Sequence, residues 1–516
     1  MWSALRFRFL LAAVFASFAL DLGAATLTVT RNDDPAPNGC LPDDCSLREA
    51  IEASNALPDA DLIRVPPGNF GLPGGGLRID GNVLLFGSAD AVTNVEGDGI
   101  ENVFTITGSA SVTLAQITIK AHGAHAIESS GNADTILDAV RIPESDSQVW
   151  SGNDAPGTGS LDIRMSEIHA YVECGNFNSC RISDSRILRL QVGVGDEGST
   201  RAEIQRSSID GDLAVASAGI VVQTNGDVLI EHTTIHNTEI GLLFAAAPPA
   251  EVRLHRLRYI ANVQPVRVYV PTSVVIDESL FEDNDGPDDS DGGPGAFWLR
   301  HDATAAVSTS SFVGNSGTGS VGGAILVEES SSLTLDNSTF SGNTFSAEAA
   351  QGGALGAAIG FDAENGGAIV TLRHVTIVPP MFMPVGIEGS TLGGIGASAE
   401  LNLVVYNSIL AGSCALPSNA IDVGHGNIES PGDSCDFGSG DNQSSVTSDE
   451  LALGALGSSG GVTPYYMPGA LSVALDAAQI SSCLPADQRG YARPFGAGCD
   501  VGAIEASDVL LANGFD

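Results

Sequence analysis

The densest grouping of residues able to do chemistry runs from Arg253 to Gly293. Arg253, Arg256, Arg258 and Arg267 form the most concentrated basic group in the chain, and an acidic stretch from Asp277 to Asp291 follows it. Several carboxylates, a Ca²⁺ ion and a basic arginine are the parts that abstract a proton next to a uronate carboxyl. Within the stretch, Asp283-Asn-Asp-Gly-Pro-Asp-Asp-Ser-Asp-Gly-Gly293 is the sharpest metal candidate. Asp283, Asp285, Asp288, Asp289 and Asp291 offer hard oxygen ligands on a glycine-rich loop, which suits Ca²⁺; extracellular sites of this kind bind at about 10⁻⁴–10⁻³ M. The spacing matches neither an EF-hand loop nor a G-G-x-G-x-D repeat. The plainer reading is that these charged side chains simply face water.

Other motifs carry less. Gly317-Thr-Gly-Ser-Val-Gly322 fits G-x-G-x-x-G but precedes a strand-like run, Ala324 to Val327, where a dinucleotide site needs a helix. Gly457-Ser-Ser-Gly-Gly461 fits G-x-S-x-G without a strand–elbow–helix context. His232 and His236 straddle an expected corner, where a surface or satisfied core role competes with metal ligation. No H-E-x-x-H occurs. These residues yield no catalytic set and require no cofactor.

The eight cysteines fall in sequence-local pairs: Cys40 and Cys45, Cys174 and Cys180, Cys414 and Cys435, Cys483 and Cys499. An even count in an exported chain favours disulfides, and neighbour pairing is one of 105 connectivities. Zinc is the competing reading, but there is no C-x-x-C and no histidine at finger spacing. Export is the expectation from residues 1–25. Arg6 and Arg8 precede the apolar run Phe9 to Leu20, and Gly23, Ala24 and Ala25 follow as small residues. The run is too short for a bilayer span, so no transmembrane helix is expected after its removal. The 516 residues include 63 Asp or Glu against 22 Lys or Arg, a formal net charge of −41, and Lys120 is the one lysine. Such a field repels phosphate backbones, which excludes nucleic acid as a partner.

The elements that must position these groups are strands. Residues 40–57 hold one helical signal: Ser46 and Glu49 form a capping box, and Leu47, Ala50, Ile51 and Ser54 share a face, predicting a short capping helix over 46–56. From about residue 61 the helical period ends. Runs such as Val112 to Ile119, Asp227 to Ile235 and Ser332 to Phe340 alternate, then shift phase before the last apolar residue. Side chains of a strand strictly alternate, so a phase shift means a corner. Aligning the last apolar residue gives Ile187, Ile209, Ile235, Phe281, Phe312, Phe340, Ile377 and Ile409, with an atypical turn expected around Tyr259. Strand-only units repeating every 20–50 residues or so select a parallel β-helix. Phe281-Glu-Asp-Asn284, Phe312-Val-Gly-Asn315 and Phe340-Ser-Gly-Asn343 repeat as F-x-x-N; Gly322-Gly-Ala-Ile325, Gly352-Gly-Ala-Leu355 and Gly366-Gly-Ala-Ile369 repeat as G-G-A-[IL]. Phe and Ile are expected to stack inside the coil. Asn is expected to take the left-handed corner and bond its neighbour's backbone or the next Asn, and Gly-Gly-Ala to let coils approach.

These repeats resemble those of polymorphic outer-membrane proteins, which are β-helical passenger domains on bacterial surfaces. Cys45-Ser-Leu-Arg-Glu-Ala-Ile51 resembles the CSLREA-domain motif of exported bacterial repeat proteins. Residues 402–505 resemble the choice-of-anchor Q domain, through Gly424-His-Gly-Asn427, Asp487-Gln-Arg-Gly490, Arg493-Pro494 and Cys499-Asp-Val-Gly-Ala-Ile-Glu505. The tail Leu-Leu-Ala-Asn-Gly-Phe-Asp resembles Gly-Phe-Asp/Glu endings of exported Gram-negative proteins. Gly424-His425-Gly426 also resembles a motif of β-helical polygalacturonases, whose downstream R-x-K has no counterpart here.

The expected organisation is a signal peptide at 1–25, an N-terminal cap at 26–60, an all-β right-handed parallel β-helix at 61–410, a choice-of-anchor Q-like region at 411–506 and a tail at 507–516. The resemblances imply a secreted or surface protein of a Gram-negative bacterium that binds a polysaccharide or cell-surface ligand without catalysis. A polysaccharide lyase or glycosidase, and a structural envelope spacer, are the alternatives.

Overall fold

Each coil begins with a strand whose inward side chains are mostly Val, Leu or Ile, with an occasional Thr, Ala or Cys, as the burial alternation along Asp134–Asp138 and Ser332–Asp336 shows. The chain then turns through one left-handed residue: Gln116, His232 and Asn337 in the three runs singled out above, with φ near +50°. That single αL residue is the phase shift. The computed structural model describes residues 24–506 apart from 153–157, 176–178, 194–198, 212–218, 247, 288–291, 319–321, 346–355, 363–366, 381–392, 398–400, 417–420 and 438–439. The expected signal peptide and tail lie outside the described residues, save Ala24, Ala25.

Among the described residues, sixteen strands from Thr26–Thr28 to Ile421–His425 stack in one parallel sheet. After the corner, short strands stack in a second parallel ladder, from Gly68–Gly71 to Ile428–Glu429, and the rest of each coil stacks in a third, from Leu77–Ile79 to Ser413–Ala415. The result is the expected right-handed parallel β-helix. Its ladders run past 61–410 at both ends, because Thr26–Thr28 pairs with Asp61–Arg64 and Leu410 with Glu429.

Inside the coil, Ile142, Ile168, Ile187, Ile209, Ile235, Tyr259, Phe281, Phe312, Phe340, Ile377 and Leu410 are successive register partners. Tyr259 takes the atypical turn. Leu410, not Ile409, completes the row. In Asn407-Ser-Ile-Leu410 both residues after the corner serine are apolar, and Ile409 points outward into a second cluster with Ile428, Val446 and Leu451. Phe281, Phe312 and Phe340 stack with centroids 4.7 Å apart and planes within 6°.

The F-x-x-N asparagines divide the expected labour differently. The left-handed residue is the one before each Asn: Asp283, Gly314 and Gly342. The Asn side chains are buried and form a ladder, Asn262 to Asn284 to Asn315 to Asn343, each Nδ2 donating to the next Oδ1 at 2.7–3.0 Å. Each Nδ2 also donates to a carbonyl of the preceding coil, such as Asn315 to Phe281. Burial leaves a backbone group no water, so the ladder supplies its partner. A serine ladder does the same at the first corner: Val140, Ser166 and Ser185 donate their N–H to Ser166, Ser185 and Ser207 Oγ. Close approach holds at Gly323, where a Cβ would lie 2.1 Å from the Ala357 carbonyl oxygen. Gly322 bridges Gly356, so Gly356-Ala-Ala-Ile359 is its register partner; Gly352 to Leu355 and Gly366 lie outside the described residues.

The N-terminal end is covered. The helix Leu47–Asn55 starts at the capping box of Ser46 and Glu49, and buries Leu47 and Ile51 in the core with Ile63 and Leu77. Disulfides join Cys40–Cys45, Cys174–Cys180, Cys414–Cys435 and Cys483–Cys499. Beyond Glu429 the chain folds back along the outside of the coils, where Thr463 donates to Thr309 O and Gln488 accepts from Thr339. Among the described residues, no helix is long and apolar enough to cross a membrane.

Candidate functional site

The corner after the first ladder projects the same three outward positions from every coil. Between residues 228 and 282 these positions bring together His232, His255, Arg256 and Arg258. Register pairs Glu231 with His255 and Asp277, and Leu229 with Arg253 and Val275, on adjacent strands. His232, Arg256 and Glu278 are the left-handed residues next along the chain. Thr234, Arg258 and Leu280 follow on the second ladder.

The arginines are mostly neutralised. Arg253 stands 3.4 Å from Asp277, and Arg256 donates to Glu278 at 2.6 Å. His255 Nδ1 lies 3.0 Å from the other Asp277 oxygen. With one oxygen facing the Arg253 guanidinium and the other the His255 ring, Asp277 is ill suited to hold Ca²⁺ as a lyase carboxylate. Arg267 donates to the Ile240 carbonyl and lies over the Tyr269 ring. Arg258 is exposed and enters no ion pair among the described residues. It lines an open groove of about 360 Å³ with His232, Thr234, Arg256, Leu257, Glu278 and Leu280. The fourth wall is the returning C-terminal segment, through Val462 and Thr463. His232 lies edge-on to His255, with ring centroids 5.5 Å apart.

The acidic loop is only partly described. Asp283 and Asp285 are exposed on either side of buried Asn284; Asp288, Asp289 and Asp291 lie outside the described residues. The loop is pinned to the next coil through Gly286 and Gly293, which donate to Ser316 O and Thr318 O. His236 turns away from His232 toward Asp210 and Ser208. Gly457 ends a strand, Leu453–Gly457, in an antiparallel hairpin with Tyr465–Pro468, so the G-x-S-x-G residues form a turn. Gly317 pairs with Phe345 in a short two-strand ladder.

The terminal motifs are structural in detail. Arg48 is bidentate to Asp34 and donates to the Gly76 carbonyl, while Glu49 accepts from Ser46 and Asn38 N–H. His425 is the outward partner of Tyr406, Gly426 a left-handed corner, and Asn427 stands where other coils place the corner serine. Asp487 accepts from Arg489, Tyr491 and Glu505, and Arg493 pairs with Glu505 at 2.8 Å in full burial. Burial pushes Asp500 up to about 6. His374, sealed beneath this segment, is lowered to about 3 by burial and by nearby Arg493.

Sequence reasoning put weight on the arginines and missed Glu231 and His255. The available signal was the coil length: 24 residues separate Glu231 from His255, one turn of the helix. With no fixed period, that distance is not readable before the register is known.

The model of the family described as a right-handed β-helix region matches residues 82–410. No curated protein sequence matches the chain. Among solved structures, pectate lyase Pel9A is similar at 12% identity, over 94% of this chain and 98% of that one, with a TM-score of 0.25. Repeated coils, the family match and the three parallel ladders agree: the chain belongs to the right-handed β-helix family.

Proposed function

We propose that this is an exported or surface-displayed β-helix protein that binds acidic polysaccharide without cleaving it. The N-terminal CSLREA-like segment serves as an end cap, and the C-terminal choice-of-anchor Q-like segment packs along the outer face of the coils. The observation that carries the reading is the groove around Arg258. It offers the Arg258 guanidinium, which has no ion pair among the described residues, the hydroxyl residue Thr234 and the exposed apolar side chain of Val462. A guanidinium takes a sugar carboxylate bidentately, and apolar side chains suit the C–H faces of a sugar ring. The chain's large negative charge does not forbid this, since at physiological salt charges beyond about 8 Å are screened. Four disulfides fit an oxidising compartment.

The test is affinity electrophoresis of the purified chain in gels holding pectin, alginate or a neutral glucan, with and without Ca²⁺. The expected result is retardation by an acidic polymer, weakened about tenfold by Arg258→Gln, as fits a charge-assisted hydrogen bond of about 1.5–3 kcal/mol. Unsaturated or new reducing ends would make the protein a lyase or glycosidase. No retardation by any polymer would leave a structural spacer.

A further inference from the structure

We propose that Glu231, His232 and His255 form a binding site for a transition-metal dication such as Zn²⁺ or Cu²⁺, at the corner shared by two successive coils. One ligand atom from each residue lies within 4.8 Å of the other two. The donor set is two imidazoles and one carboxylate, which suits borderline metals and differs from the all-oxygen cage that Ca²⁺ prefers.

The surroundings divide the work between atoms. Glu231 Oε2 accepts from Gln205 Nε2 at 3.3 Å, while Oε1 faces His232 Nε2 at 4.0 Å. His255 turns Nδ1 toward Asp277 Oδ1 at 3.0 Å, and that nitrogen is buried without an aligned hydrogen bond. A carboxylate behind an imidazole is the arrangement that fixes the ring and leaves its other nitrogen for a metal. Bonds of about 2.1 Å in a tetrahedron place ligand atoms about 3.4 Å apart. Closing from 4.8 Å needs only rotation of His232, which is exposed, and of Glu231, which is half-buried. The backbone that carries the three is fixed by parallel pairing of Val228–Glu231 with Val252–His255. Three protein ligands leave a fourth position open to solvent, at the rim of the groove where His232 also stands.

The proposal does not depend on polysaccharide binding, and His255 and Glu231 do not line the groove. Untagged, metal-stripped protein titrated calorimetrically with Zn²⁺ is expected to take one equivalent with micromolar affinity. His255→Asn and Glu231→Gln are each expected to weaken it tenfold or more, and Asp277→Asn about tenfold. His301→Asn, a surface imidazole beside Glu329, should leave it unchanged. With Cu²⁺, the nitrogen hyperfine pattern of the paramagnetic spectrum should fall from two imidazoles to one in His255→Asn. Far-ultraviolet circular dichroism checks that each variant keeps its β signal. No binding below about 100 µM, or equal loss in His301→Asn, would overturn the site. So would a Cu²⁺ spectrum insensitive to His255.

Discussion

Asn315 is the central rung of the asparagine ladder, and removing its side chain tests whether the ladder stabilises the coils or merely decorates them. Its Nδ2 donates to Phe281 O at 3.0 Å and Asn343 Oδ1 at 2.9 Å; its Oδ1 accepts from Asn284 N at 3.2 Å and Asn284 Nδ2 at 2.7 Å. Asn284, Asn315 and Asn343 are all at most 2% exposed, so no water replaces these partners. Asn315→Ala leaves the Asn284 N–H unpaired, at about 1–3 kcal/mol, and removes further bonds worth about 1 kcal/mol each. With three such further bonds, the sum is about 4–6 kcal/mol. In a solenoid each repeat touches only its neighbours, so the loss should be felt locally. Native-state amide exchange is the assay. At about 1.4 kcal/mol per decade, exchange at Asn284 should quicken a hundredfold or more, while amides of Asp134–Asp138, many coils away, keep their wild-type protection. An unchanged Asn284 rate would refute the energetic role. Equal acceleration at both places would refute the local, repeat-by-repeat picture.

Phe312→Ala deletes the middle ring of the Phe281–Phe312–Phe340 stack and should cost about 3–5 kcal/mol, read as a lowered urea midpoint for opening of those coils; a shift under 1 kcal/mol would mean that the stack is incidental. Reduction should loosen the ends first, because no cysteine lies between Cys180 and Cys414; amides from residue 201 to 378 should stay protected when those of the terminal segments do not, and simultaneous loss of all protection would contradict this. His374 gives a pH test. Neutral, it donates Nδ1–H to Gly502 O and accepts at Nε2 from Asn407 and Leu484 N–H. Its folded pKa of about 3 lies below the ordinary 6.5, so its stabilisation of the C-terminal segment is full above 6.5 and is lost as pH falls toward 3. Asp500, raised to about 6, acts oppositely: its contribution is full below about 3.8 and lost as pH rises through 6. His374→Gln should therefore make exchange at Gly502 less acid-sensitive than wild type between pH 7 and 5, and coincident profiles would refute the assignment.

What could be read from the sequence was what is decided locally. A capping box closes within one helical turn, so Ser46 and Glu49 announced the helix. A phase shift between two alternating runs announced each corner, and repetition of corners announced the solenoid. Neighbour pairing of the cysteines, left open among many connectivities, is the pairing that the structure shows. What only the tertiary structure decided was everything that depends on register between coils. Coil lengths vary with their loops, so the meeting of His232 with His255, or of Leu410 rather than Ile409 with Ile377, is set by which strands pair. The C-terminal motif is the plainest case. Asp487, Arg493 and Glu505 carry only a family resemblance in the linear sequence; the chain's return along the outer face buries them against Asn337, Thr339 and Thr376, where their charges satisfy one another.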